Sequence, residues 1–166
     1  MTIRKFSGQQ LQQVYCGLLP DDFPPAEIKP YAMIQPLIAC GLYAGYGYYE
    51  QDELRAYALF AHEQQSRYLL LDYFAVRHAY RSGGYGGRFL RRLGEYAHGY
   101  QGLLGEIENI DFAADEAEAD IRRRRLVFYQ NNGWRLTGLR ARLYGVEYSI
   151  IAYDYGQPLP DGALSA

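Results

Sequence analysis

The densest group of residues able to do chemistry is Arg81-Ser82-Gly83-Gly84-Tyr85-Gly86-Gly87, followed by Arg88. It lies between an apolar run ending near Val76 and an amphipathic run beginning near Gly86. Amides at a helix N-terminus lack partners and carry partial positive charge, and glycines let an anion approach the backbone with no side chain in between. The group therefore reads as a cradle for a diphosphate. A nucleotide P-loop requires Lys and then Ser or Thr after its last glycine, whereas Gly87 is followed by Arg88 and Phe89. ATP and GTP hydrolysis are disfavoured. A dinucleotide fingerprint fails too, because Phe89 stands where its third glycine belongs. His62, His78 and His98 show no metal-ligand spacing with one another or with Cys16 and Cys40, so no metal is expected. The two cysteines read as buried apolar residues in early helices.

The elements that must position this loop follow from periodicity. Residues 2–6 alternate as a strand, and Ser7 caps a helix carrying Leu11, Val14 and Tyr15 on one face. Pro20, Pro24 and Pro25 mark a loop, and residues 26–40 read as a helix bent at Pro30 and Pro36. Residues 43–50, 54–62 and 68–76 form three antiparallel strands, the first two joined by a turn at Gln51-Asp52. After the glycines, Phe89, Leu90, Leu93 and Ala97 share a helical face opposite Arg88, Arg91, Arg92, Glu95 and His98. Residues 103–108 form a short strand with Leu104, Glu106 and Glu108 on one side. Strand, loop, helix and strand make a βαβ unit whose crossover suits parallel neighbours. Residues 113–131 form a second helix, acidic early and basic late, in keeping with its dipole. Glu118 with Arg122 and Asp120 with Arg124 lie four apart, so the arginine run is a paired, solvated face. Asn131-Asn132-Gly133 stops that helix; residues 134–140 and 146–153 are the last strands, and 156–166 a polar tail.

Arg81, Gly84 and Gly86 spell Arg-x-x-Gly-x-Gly after Tyr73-Phe74-Ala75-Val76 and ahead of Phe89-Leu90. This block resembles the acetyl-CoA-binding motif of the GCN5-related N-acetyltransferase (GNAT) superfamily, bacterial type. A second block, Leu126-Val127-Phe128-Tyr129-Gln130-Asn131-Asn132-Gly133-Trp134, resembles the family's helix ending in aromatic-Tyr-x-x-x-Gly-Phe, with Trp134 in place of phenylalanine. In element order the resemblance runs from Ile3 to Tyr153; it is specific only in residues 70–93 and 103–134. It implies an α/β layered fold with a central mixed, mostly antiparallel sheet of six to seven strands flanked by about four helices. It also implies one domain over residues 1–155. The implied activity is acetyl-CoA-dependent N-acetylation, with acetyl-CoA as co-substrate. By resemblance Arg81, Ser82, Gly83, Gly84, Tyr85, Gly86 and Gly87 wrap the pyrophosphate, and a backbone amide around Phe74, Ala75 and Val76 polarises the thioester carbonyl. For Arg81 the amide is the preferred contact; Arg88 faces either a phosphate or solvent.

Acyl transfer requires a neutral amine, and an alkylamine of pKa ~10.4 is neutral to the order of one part in a thousand at pH 7, so a base is needed. The resemblance places a carboxylate on the strand after the glycine helix: Glu106 first, Glu108 second. On the residues alone, both equally extend the acidic stretch through Asp111 and Asp115. By resemblance the Tyr129 hydroxyl faces the departing sulfur, where an acid contributes roughly 10² to 10⁴ in rate; alternatively it is a packed aromatic beside Phe128. Tyr31, Tyr43, Tyr46, Tyr48 and Tyr49 either floor an amine site or stiffen a strand. The implied acceptor is a primary amine of a small molecule or peptide, attacking directly in a ternary complex. Its identity does not follow from the donor motif. A net charge of −2 over 166 residues gathers no nucleic acid. The longest apolar stretch, broken at Gln35 and Pro36, falls short of the ~20 residues of a membrane helix. No charged leader opens the sequence, so a cytoplasmic monomer or homodimer is expected. Two rivals stand: a non-catalytic acyl-CoA sensor of the same fold, and an α/β domain using the loop for another phosphorylated ligand.

Overall fold

The computed structural model describes residues 1–97, 99–143 and 145–155. Seven strands lie in the hydrogen-bonded order β1-β2-β3-β4-β5-β7-β6: β1 (Thr2–Lys5), β2 (Tyr43–Glu50), β3 (Glu53–Ala61), β4 (Tyr68–Val76), β5 (Gly102–Glu108), β6 (Arg135–Leu143) and β7 (Val146–Asp154). The helices are α1 (Gly8–Gln13), α2 (Leu19–Asp22), α3 (Tyr31–Ala39), α4 (Tyr85–Leu93) and α5 (Glu116–Asn131). The sheet is the expected mixed, mostly antiparallel one, with β4 and β5 as neighbours. The chain divides into two compact units. One holds Met1–Ser66 with Leu71–Phe89; the other holds Arg67–Leu70 with the chain from Leu90 onward.

In the first unit, Ser7 and Gln10 form a reciprocal capping box that starts α1. Pro20 does not end this helix as its residue type predicts. Val14–Leu18 widens into a π-helical turn in which the Leu19 N–H donates to the Val14 carbonyl, and α2 follows with Pro20 in its first turn. A proline tolerates that place because it has no N–H to leave unmet. The predicted helix over 26–40 resolves into a 3-10 turn, Pro25–Glu27, and α3, which begins after Pro30 and keeps Pro36 inside it. The hairpin β2–β3 turns through Gln51 and Asp52, both at positive φ (52° and 63°), the arrangement that matches strand twist. The alternating glycines of β2 make room for the helix side. A Cβ on Gly45 would fall 2.7 Å from Phe6 and 2.8 Å from Leu11 and Leu59. Those residues, with Val14, Tyr15, Leu19, Ile34, Tyr43, Tyr57, Tyr73 and Ala75, form one buried core.

In the second unit, β5 pairs antiparallel with β7, and β7 with β6; Glu106 lies opposite Ile150 and Glu108 opposite Tyr148. Leu103, Ile107, Trp134, Ile151 and Ala152 are buried around this ladder. Helix α4 stops at Leu93, earlier than the periodicity predicts, and a 3-10 turn, Gly94–Tyr96, carries the chain to buried Ala97. Gly94 permits the change: a Cβ there would sit 2.7 Å from the Tyr155 ring. Helix α5 begins at Glu116 rather than 113, because the Asp115 carboxylate accepts the Glu118 N–H at 2.8 Å and fixes the cap there. Its end matches the sequence reading, Gly133 leaving the helix at φ +87°. His98 and the tail from residue 156 lie outside the described residues.

Candidate functional site

The glycine segment grows directly out of β4. Ala75 faces the core with Tyr73, which turns Phe74 and Val76 to the opposite side. Phe74 stacks on Phe89 at 5.7 Å and Phe89 on Tyr48 at 5.1 Å, so the strand end and the start of α4 share one aromatic column. Between them the chain makes a 3-10 turn, His78–Tyr80, and then passes through Ser82 (φ +65°) and Gly84 (φ +74°), both left-handed. For Ser82 that conformation costs about 1 kcal/mol or more, which the surrounding bonds must offset. The first i to i−4 bond of α4 runs from the Arg88 N–H to the Gly84 carbonyl at 3.2 Å. The amides of Tyr85, Gly86 and Gly87 precede it and have no carbonyl within the helix to meet.

Side chains hold this backbone in place. The Arg81 guanidinium donates to the Val76 carbonyl at 3.1 Å and to the Asp22 carboxylate at 3.0 Å. Asp22 is buried and also accepts the Tyr57 hydroxyl at 3.0 Å, so Arg81 is fastened to the end of α2 and offers the loop its backbone. Arg88 folds back over the loop, donating to the Gly83 carbonyl at 2.9 Å and lying 4.7 Å above the Tyr85 ring. Its Nε is buried without a hydrogen-bond partner. Beneath, Arg55 pairs with Glu53 at 2.8 Å and Glu50 at 3.6 Å and stacks 4.0 Å from the Tyr80 ring. Tyr85 donates to Glu50 at 2.6 Å and Tyr80 to Glu53. These bonds to carboxylates are the first cause raising both hydroxyls above the usual tyrosine pKa. Arg55, Glu50, Glu53 and Tyr80 escaped the sequence reading, although an arginine inside the apolar run Leu54-Arg55-Ala56-Tyr57 was a signal that something pairs with it.

In the second unit, Glu106 and Glu108 share the half-buried side of β5, with Leu103, Gly105 and Ile107 buried on the other, as alternation predicts. Glu108 is taken up by arginines: it accepts from Arg125 and lies 3.6 Å from Arg122. Arg122 is itself buried, donating to the Asn109 carbonyl at 2.5 Å and to Glu118 at 2.7 Å. The Glu118–Arg122 pair is thus formed as expected. Asp120 instead pairs with Arg123, while Arg124 reaches only the Asp120 carbonyl at 3.3 Å. Tyr129 packs edge-on against Trp134 at 5.3 Å and Phe128 at 5.4 Å. Burial pushes its hydroxyl up to about 12, with Arg125 pulling weakly the other way, so it is a proton donor throughout the neutral range.

Of the candidate amine-site tyrosines, Tyr43 and Tyr48 are buried, and Tyr31, Tyr46 and Tyr49 half-buried. Cys16 and Cys40 are free and exposed, not buried: Cys16 lies on the outer side of the π turn and Cys40 just past the end of α3. Among the described residues no group of three His, Cys, Asp or Glu is placed to hold a metal ion.

No family model matches the sequence, and no curated protein matches it. Solved structures do match in shape. A protein of the GNAT family from Bacteroides thetaiotaomicron superposes with a TM-score of 0.74 at 20% identity, covering 95% of this chain and 89% of that one. An aminoglycoside 6'-N-acetyltransferase complexed with coenzyme A gives 0.66 at 16% identity, over 97% and 100% of the two chains. A GNAT family acetyltransferase from Elizabethkingia anophelis with acetyl-CoA bound gives 0.63 at 15%, over 92% and 97%. At such identities the likeness is one of fold.

Proposed function

We propose that this chain, which carries the fold of the GCN5-related N-acetyltransferases, is an acetyl-CoA-dependent N-acetyltransferase acting on a primary amine of a small molecule or peptide. The observation that carries the reading is the loop after β4. Two left-handed residues, Ser82 and Gly84, lead into a helix whose first amides have no internal partner, and Arg88 adds positive charge above them. Gly83 and Gly84 keep that surface bare of side chains. A Cβ on Gly83 would lie 2.9 Å from the Tyr85 ring, and Gly84 holds a φ of +74° that disfavours any other residue. Such a surface suits a pyrophosphate.

Acetyl-CoA, bound there, supplies an activated acetyl thioester. The chain's own groups do the rest. Amides of Ser82, Gly83, Gly84, Tyr85, Gly86 and Gly87, with that of Arg81, hold the pyrophosphate. A backbone N–H around Phe74, Ala75 and Val76 donates to the carbonyl oxygen. Glu106 accepts the amine's proton, directly or through water; Glu108, already neutralised by Arg122 and Arg125, is the poorer base. The Tyr129 hydroxyl, held protonated by its burial, donates to the departing sulfur. We take residues 1–155 as one catalytic domain, working as a cytoplasmic monomer or homodimer.

Isothermal titration of acetyl-CoA and of desulfo-CoA tests the reading. Micromolar binding to the wild type, lost in a folded Gly84→Glu, Gly86→Glu double variant, supports the cradle. Acetylation of an amine that falls in Glu106→Gln and Tyr129→Phe separates an enzyme from a sensor. No binding to folded wild type overturns the proposal.

A further inference from the structure

One charged pair in the first unit is unlike the rest. Lys29 sits in the short segment between the 3-10 turn and α3, and its ammonium is paired with Asp72, whose side chain is only 2% exposed. The second Asp72 oxygen accepts the Tyr43 hydroxyl at 2.6 Å. The Lys29 nitrogen lies 5.9 Å from the centre of the Tyr73 ring. Tyr15 closes the aromatic surround, 5.5 Å from Tyr31, 6.3 Å from Tyr43 and 5.9 Å from Tyr73. Burial and the neighbouring Asp72 hold the Tyr43 hydroxyl far above the usual tyrosine pKa, so it stays a donor to the carboxylate. A carboxylate, a phenol and an aromatic face together are the chemistry that recognises a primary ammonium. Stability is a weak reason for such a pair, since an apolar replacement of equal volume commonly folds as well or better.

Two features make Lys29 look like a tenant rather than a strut. Its side chain is 25% exposed, so a way to solvent is open, whereas Asp72 is sealed. Its backbone is held by two bonds alone among those to tyrosines: its carbonyl accepts from Tyr15 at 2.8 Å, and its N–H donates to the Tyr73 hydroxyl at 2.9 Å, neither of which involves the ammonium. The side chain can therefore leave with the backbone in place. Asp72 also stands two residues before Phe74 on the same side of β4, which sets them about 6.6 Å apart along the strand. On the reading above, Phe74 to Val76 is where the acetyl carbonyl is held.

We propose that Asp72 and Tyr43, walled by Tyr15 and Tyr73, form the binding site for the primary alkylammonium head of the acceptor, and that Lys29 is its internal occupant, displaced when an acceptor binds. The inference rests on the acetyltransferase reading only for the word acceptor; the ammonium site can be tested without acetyl-CoA. The sequence contains two lysines, Lys5 and Lys29, so side-chain ammonium signals of protein labelled with 15N-lysine resolve both. Titration of n-butylammonium chloride into the wild type should shift the Lys29 signal saturably and leave Lys5 unchanged, with tetramethylammonium chloride at equal ionic strength without effect. In Lys29→Ala, n-butylammonium should bind at least tenfold tighter than to wild type and raise the melting temperature, while n-butanol does not. Lys29→Met with Asp72→Asn, a neutral pair, should fold and bind none. A Lys29 signal indifferent to n-butylammonium in the wild type overturns the proposal, whether or not Lys29→Ala folds. Acetyl-CoA binding with an indifferent Lys29 sinks this site alone; displacement of Lys29 without acetyl-CoA binding sinks the acetyltransferase reading and leaves the ammonium site standing.

Discussion

The glycine loop and the Asp72 box lie in the same unit and are built on opposite principles. The loop is backbone: exposed from Arg81 to Gly84, bent through two left-handed residues, and pinned from below by Arg55, Tyr80 and Tyr85. The box is side chain: one sealed carboxylate met by a phenol and an ammonium from segments 29 and 43 residues away. A backbone site tolerates much change in side-chain identity and little in conformation. A side-chain site has the reverse sensitivities.

The largest effect expected follows from that contrast. Asp72→Ala leaves the Lys29 ammonium without its buried partner, and urea denaturation should show a loss of about 3 kcal/mol. An unchanged midpoint would mean that the box contributes nothing to the fold. Gly84→Val places a β-branched residue at φ +74°, with an expected loss of about 1–2 kcal/mol and at least tenfold weaker acetyl-CoA binding. If affinity falls without stability, the loop is set by shape alone. Tyr85→Phe removes the bond to Glu50 and keeps the ring, so titration calorimetry should show acetyl-CoA binding weakened by about threefold.

The smallest effect concerns alkali. In the box, burial is the first cause raising Tyr15 and Tyr43; at the loop, bonds to carboxylates are the first cause for Tyr80 and Tyr85. Burial also pushes Tyr68 and Tyr129 up to about 12. Each folded pKa exceeds the unfolded value of about 10, so the stabilisation is whole below pH 10 and is lost as pH rises from there through about 12. Absorbance at 295 nm should show the loop tyrosines ionising reversibly in folded protein and the box tyrosines ionising only with unfolding. One common transition would erase the distinction.

The same contrast explains what could be read from residues. Gly84, the Ser7 capping box and the Gly133 stop are local: each residue's own backbone preference states its role within a few positions. Strands were legible from alternation, and β2 and β4 begin and end where the pattern places them. The Lys29–Asp72 pair joins positions 43 residues apart, and only an aspartate amid the apolar residues of β4 hinted at it. Pro20 misled because a proline argues against an α-helical bond, and the π turn supplies a different one. The cysteines misled because residue type alone does not say which side of a helix faces the core. Glu106 and Glu108 look alike in sequence; the arginines of α5 tell them apart.

The π turn also makes a length into a determinant. Between Val14 and Leu18 the helix carries one residue more than an α-helix needs, and removing any one of the five would let the ordinary ladder re-form. Everything beyond would then rotate by about 100° around the axis. Asp22 would swing off Arg81 and Tyr57, and the loop would lose its anchor without a single loop residue having changed. In this stretch the chain is more exposed to deletion than to substitution.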